Sequence, residues 1–198
     1  MGRSDREVTP MPATQSEKAA RFLALHAGPG AFVIPNPWDV GSARILAGLG
    51  FKALATSSAA SASALGRRDG GLTRDEALAH ARLIVEATDL PVSADLEKGF
   101  GDAPEVVAET IRLAAEVGLV GCTIEDGTGN QDSPLYDVPL AVERIAAAAQ
   151  AAHALQFPFI LTASAQFPLR CPEPRRHHQS PSGLRKNWSR CAVCPRPA

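Results

Sequence analysis

The 198 residues carry a formal charge of −1 at pH 7, with 45% hydrophobic and 21% charged side chains, a balance that suits one domain with a sizeable core. No apolar run approaches the roughly 20 residues of a membrane span and no charged-then-apolar leader opens the chain, so a membrane partner is not expected and the cytoplasm is the expected compartment. The charge is uneven: seven Lys and Arg against Glu173 alone lie from Ser164 onward, which leaves −7 on the residues before it.

Residues 1–13 carry charges and two prolines without periodicity and are expected to be loose. Thr14-Gln15-Ser16-Glu17 has the form of a capping box, and Ala20, Phe22, Leu23 and Leu25 follow as the apolar residues of a helix that stops at Gly28-Pro29-Gly30. A rhythm then sets in. Ala31-Phe32-Val33-Ile34 reads as a strand, Val40 to Leu49 as a helix, and Ala53-Leu54-Ala55-Thr56 as a second strand. Beyond a Ser/Ala/Gly loop, Thr73-Arg74-Asp75-Glu76 is another capping box, which opens a helix with Ala77, Leu78, Ala81, Ile84 and Val85 on its apolar stripe.

Pro91-Val92-Ser93-Ala94 reads as the third strand and ends in two acids, Asp95 and Glu97. Side chains two apart on extended backbone point to one side, so these carboxylates can converge, and Gly99 and Gly101 let the backbone turn closely around them. Such a pair suits a hard divalent cation such as Mg²⁺, although a solvated acidic loop feeding a helix is an equal alternative. Asp102-Ala103-Pro104-Glu105 predicts the next helix, with Asp102 as its cap and Pro104 in its first turn. Val120-Gly121-Cys122-Thr123-Ile124 is the fourth strand, in which Cys122 reads as a small core residue, and it too ends in acids, Glu125-Asp126. Val138 to Leu155 is an Ala-rich helix and Phe157 to Thr162 a fifth strand.

Strands alternating with amphipathic helices predict βαβ units and a parallel sheet. Both a doubly wound sheet and a (β/α)₈ barrel put ligands at the C-terminal ends of the strands, where these acids lie. The first strand–helix junction, Asn36-Pro37-Trp38-Asp39, has no glycine-rich phosphate fingerprint, which favours the barrel. A (β/α)₈ barrel of the TIM type takes about 250 residues and eight strands. The pattern here stops after about five, over residues 14–163, so the expected fold is an incomplete barrel.

Asn36-Pro37-Trp38-Asp39, Ala55-Thr56-Ser57-Ser58-Ala59, Leu65-Gly66-Arg67-Arg68-Asp69, the run Ala94 to Gly101 and Ile124-Glu125-Asp126 together resemble the isocitrate lyase/phosphoenolpyruvate mutase superfamily, on its mutase-like branch. The resemblance runs from about Phe22 to Ala163. It implies a (β/α)₈-barrel lyase or mutase that holds Mg²⁺ through Asp95, with Glu97 and Glu125 close by through waters. It also implies that Ser57 and Ser58 hold the carboxylate of a 2-oxo acid or dicarboxylate substrate, and that Asp69 is a catalytic acid on a gating loop. Read by themselves, the serines also suit a small-residue turn, and Asp69 equally suits a residue that tightens its own loop. Full-length members are expected to be homo-oligomers acting on small molecules, with no nucleic acid partner.

The chain departs from that pattern in two places. The stretch Gly127 to Asp137 contains neither Cys nor His, where isocitrate-cleaving members carry a Lys-Arg-Cys-Gly-His loop. That leaves decarboxylation of an oxaloacetate-type acid, P–C chemistry of a phosphonopyruvate type, or cleavage of another 2-oxo-acid precursor. Thr162-Ala163 is followed by Ser164, where the family places a substrate-anchoring Arg.

From Ser164 to Ala198 the chain is basic, contains six prolines and shows no helical or strand period. Cys191 and Cys194 have the spacing of zinc ligands, with Cys171, His177 and His178 upstream, but no second pair at matching spacing accompanies them. Codons chosen for Arg175 to Pro197 and read one base later spell an acid-capped amphipathic helix, a glycine stop and an apolar strand, the missing sixth βα step. A frameshift near Ser164 is therefore the expected origin of the tail. The expected function is Mg²⁺-dependent cleavage of a C–C or P–C bond through an enolpyruvate intermediate, weak or lost in this truncated form; the alternative is a non-catalytic gene fragment or interaction surface.

Overall fold

The protein is described by a computed structural model covering residues 12–165. The expected loose N-terminus, apart from Pro12 and Ala13, and the expected basic tail beyond Ala165 lie outside the described residues. The elements in chain order are α1 (Gln15–Ala27), α2 (Val40–Gly48), β1 (Leu54–Ala55), α3 (Ser58–Ala64), α4 (Arg74–Ala87), β2 (Val92–Asp95), α5 (Pro104–Glu116), β3 (Gly121–Glu125), α6 (Val138–His153) and β4 (Ile160–Ser164). No helix among them is long and apolar enough to cross a membrane.

The two predicted capping boxes form. Thr14 and Thr73 each accept from the amide of the glutamate three residues on, and each glutamate returns a bond to the capping backbone, so two orphan donors are satisfied at each helix start. Asp39 caps α2 in the same reciprocal way with Ser42. The expected Asp102 cap does not form. Ala103 holds the cap position of α5 without a side-chain bond, Pro104 enters the first turn, and the Asp102 carboxylate is taken instead by Lys98 and Tyr136.

All four strands are parallel, and their order in space, β1-β2-β3-β4, is their order in the chain. A doubly wound sheet reverses direction part-way across, whereas a barrel adds each strand on the same side of the last. The described sheet is thus an arc of a (β/α) barrel. The predicted strand over Ala31–Ile34 is not a ladder strand. Its segment joins β1 through one backbone bond, from the Ala55 amide to Pro35 O at 3.1 Å, because Pro35 and Pro37 have no N–H to return.

Alternation along the strands divides the sheet into two faces. Val92, Ala94, Leu96, Cys122, Ile124 and Leu161 pack into one core with Leu78, Ala81 and Ile84 of α4, Val107 and Ile111 of α5 and Ala148 of α6. Ser93, Asp95, Thr123, Glu125 and Thr162 take the other positions and are half-buried on the concave side. At the N-terminal ends of the strands, Ala19 and Phe22 of α1 pack with Ala53, Val120 and Ile160 in a second core. Gln15 donates to Ala115 O and Leu119 O, and Lys18 Nζ donates to Thr88 O at 2.8 Å. Helix α1 therefore seals one end of the arc and leaves the acid-bearing end open.

Candidate functional site

Strand β2 delivers Asp95 to the open end. Its Oδ2 accepts from the Ser58 amide and its Oδ1 from the Glu97 amide, both at 3.0 Å, so both carboxylate oxygens are aimed by backbone donors. Beyond Asp95 the chain turns sharply: Glu97 and Phe100 have φ of 50° and 62°, and Gly99 has 80°. Left-handed backbone costs a residue with a Cβ about 1–2 kcal/mol, and such strain gathers at functional turns. The turn is also tight against α5, since a Cβ at Gly101 would lie 2.4 Å from Val106 Cγ1.

What holds this turn is Arg144 of α6, only 1% exposed. Its guanidinium donates to Gly101 O at 2.7 Å, to Asp102 O and to Lys98 O, and lies 4.1 Å over the Tyr136 ring. Tyr136 O–H and Lys98 Nζ both donate to Asp102, and Lys98 also donates to Thr128 O. Lys98 first, then Tyr136, hold the Asp102 carboxyl below the usual carboxylate range. Sequence reasoning missed Arg144. The available signal was its place on the apolar stripe of α6, in register with the buried Ala148, Ala151 and Ala152, where an unpartnered cation would be costly.

The acids share one electrostatic field. Burial, followed by the charges of Asp95, Asp69 and Glu125, pushes the Glu97 carboxyl above its usual range, and Lys98 opposes this only weakly. Glu125 ends β3, where its register partner is Ser164 of β4, and Asp95 is the register partner of Thr123. Among the described residues, no three His, Cys, Asp or Glu side chains close into a ready ligand set. What the arc offers is one backbone-anchored carboxylate, Asp95, whose charge is felt by Glu97 together with those of Asp69 and Glu125.

Asp69 lies on an exposed loop and accepts from the Gly70 amide at 3.0 Å, while its charge reaches Glu97. Ser57 caps α3, its hydroxyl accepting from the Ala60 amide, and Ser58 gives its amide to Asp95. Both the loop-tightening role of Asp69 and the turn-forming role of Ser57 are thus present alongside their nearness to the acids. Cys122 is fully buried and its thiol is pushed far up by burial, as suits a core residue and not a nucleophile. The loop after β3 is folded by bonds from the Thr128 amide to Pro134 O and from the Tyr136 amide to Asp126 O.

The family model for phosphoenolpyruvate phosphomutase matches residues 22–180. A solved protein of Burkholderia cenocepacia J2315, described as a lyase/mutase, is 59% identical with a TM-score of 0.76, over 77% of this chain and 55% of that one. The 2,3-dimethylmalate lyase of Eubacterium barkeri is 38% identical over 110 residues, 54% of this chain and 38% of the relative. The oxaloacetate decarboxylase of Pseudomonas entomophila is 34% identical over 137 residues, 66% of this chain and 47% of the relative. The chain spans less than half the length of both curated relatives.

Proposed function

The chain belongs to the phosphoenolpyruvate phosphomutase family, and from that premise we propose that its open strand end is the Mg²⁺ and 2-oxo-acid site of a lyase or mutase. The observation that carries the reading is Asp95 at the end of β2, its two carboxylate oxygens aimed by the Ser58 and Glu97 amides, with the Glu97 carboxyl raised by burial and then by the charges of Asp95, Asp69 and Glu125. The donor set is all oxygen, and the nearby Lys98 is committed to Asp102 and Thr128. Such a set fits a hard divalent cation that keeps several waters. Asp95 would hold the ion, with Glu97 and Glu125 alongside.

Bound there, Mg²⁺ supplies positive charge against the negative charge that develops on a pyruvate oxygen as a C–C or P–C bond breaks. The protein's own part is positional. The Ser58 and Glu97 amides aim Asp95, Arg144 fixes the Glu97 turn, and Ser57 and Ser58 flank the place for a substrate carboxylate. Asp69, on its exposed loop with its charge felt by Glu97, would meet the group that leaves or cover it. A cytoplasmic setting and small organic-acid substrates are part of the same proposal, as is self-assembly of the full-length protein.

The second reading is a fragment that binds but scarcely turns over. It is favoured by a groove of about 640 Å³ beside β4, lined by Ile124, Val138, Val142, Ile145 and Ala163, with Val138 and Val142 76% and 62% exposed. An out-of-frame tail after Ala163 belongs to this reading, and resequencing the gene across the Ser164 codon tests it. Pyruvate release from oxaloacetate and from phosphonopyruvate with Mg²⁺, measured for this chain and for a frame-restored version, tests the function. Turnover in the restored chain supports the proposal. Its absence in both, with both substrates, overturns it.

A further inference from the structure

Behind the Ser57 turn lies a hydrogen-bond chain whose protons can be counted. His80 of α4 and Ser61 of α3 are 8% and 4% exposed. His80 Nε2 is 2.8 Å from Trp38 O, His80 Nδ1 is 3.0 Å from Ser61 Oγ, and Ser61 Oγ is 2.8 Å from Ser57 O. The two carbonyl oxygens only accept, so Nε2 must carry a proton for Trp38 and the Ser61 hydroxyl must give its one proton to Ser57. The middle bond then requires a proton on Nδ1 as well. A neutral ring brings one proton and the hydroxyl another, one too few for three bonds; the imidazolium satisfies all three.

The chain joins two loops at the open end of the arc. Trp38 lies in the turn before α2, which Asn36 ties to Ala55 O at the end of β1. Ser57 opens α3, whose first residue gives its amide to Asp95. The charge facing the ring from the Trp38 turn is the Asp39 carboxylate, held low chiefly by Ser42 and in small part by His80. Helix α3 carries no titratable side chain, and Glu76, one turn earlier on α4, is engaged by Arg67 and Thr73.

We propose that His80 is a positioning residue: with a proton on each ring nitrogen it ties the Trp38 turn to the Ser57 turn and so fixes where the Ser58 amide meets Asp95. When the ring gives up its second proton, one of the three bonds is lost; the Ser57 carbonyl keeps the Ser61 amide, so the Ser57 turn stays in α3 but its side-chain tie to the ring loosens. The consequence for a substrate carboxylate rests on the reading of Ser57 and Ser58 above. The coupling between the loops does not.

The test is a pH series on the ¹⁵N-labelled chain. It follows the His80 ring nitrogens through their long-range proton correlations and, in the same samples, the backbone amides of Ser58 and Trp38. Both amides should shift with the same midpoint as the ring. Ser61→Ala should leave Trp38 in step and uncouple Ser58. His80→Gln, which keeps a donor and an acceptor without titrating, should flatten both. A Ser58 amide that stays still while the ring titrates overturns the proposal. So does one that follows the ring in Ser61→Ala, or one whose whole movement persists in His80→Gln and so belongs to the carboxylates of the open end.

Discussion

The Ser58 amide meets Asp95 Oδ2 at 3.0 Å across 37 residues of sequence, so the turn after β1 and the end of β2 are locked together at one carboxylate. Hydrogen bonds to a charged acceptor contribute about 1.5–3 kcal/mol. Asp95→Asn turns one of these acceptors into a donor facing a donor. It should lower stability by about 1–3 kcal/mol, read as a lower urea midpoint with an unchanged slope. It should also bring the Glu97 carboxyl back toward its usual range, because the like charge that raises it most is gone, and carboxylate NMR reads that shift.

Glu97 gives the folded chain a distinctive pH dependence. Its folded carboxyl is raised by burial and by Asp95, Asp69 and Glu125, so over its titration the folded state binds more protons than the unfolded one. Stability must then fall as pH rises from the ordinary glutamate range through the raised one, and level off above it. Melting temperatures in a chelating buffer should show this decline for the Glu97 contribution. Glu97→Gln should remove it, leaving the chain with the flatter profile.

Arg144 is the fastener of the acid turn. Arg144→Met keeps the buried stem but leaves the carbonyls of Lys98, Gly101 and Asp102 without their donor, at a cost of about 2–4 kcal/mol in unfolding free energy. Arg144→Lys should recover only part of that, since an ammonium cannot present a planar fork to three carbonyls at once. Full recovery by lysine would show that charge, not fork geometry, holds the turn.

Two glycines make a paired stability test. At Gly121 in β3 an added Cβ would lie 2.7 Å from Ile160 O and 2.9 Å from Phe22 Cε1, between a neighbouring strand and the sealing helix, where backbone cannot yield. Gly121→Ala should cost about 1–3 kcal/mol. At Gly48, the last residue of α2, nothing lies within 4 Å of the added Cβ, and Gly48→Ala should gain up to about 1 kcal/mol. Thermal melts of the two variants should move in opposite directions.

Local signals were the legible ones. Thr14 with Glu17, and Thr73 with Glu76, announce helix starts because both partners lie within one turn. The apolar runs ending in Asp95 and Glu125 announce strand ends because side chains alternate. The concave placement of those acids follows from the same period. What the pattern could not show depended on partners distant in the chain. Asp102 reads as a cap, but Tyr136, 34 residues on, claims its carboxylate along with Lys98, and the carbonyls that hold Arg144 lie 42 to 46 residues away in the chain. The link from His80 to Trp38 spans 42 residues and follows no sequence period. Residues 31–34 have strand composition, but the prolines at 35 and 37 remove the donors a ladder requires.

The central claim is that the acid-bearing end of the arc is a divalent-cation site anchored on Asp95. Calorimetric titration of Mg²⁺ into the chelator-stripped chain, in two buffers of different ionisation enthalpy at mildly acidic pH, tests it most directly. The account predicts saturable one-site binding that expels protons, because an ion beside Glu97 favours its charged form, and it predicts loss of that binding in Asp95→Asn. Absence of binding in the unaltered chain, or equal binding in Asp95→Asn, would contradict it.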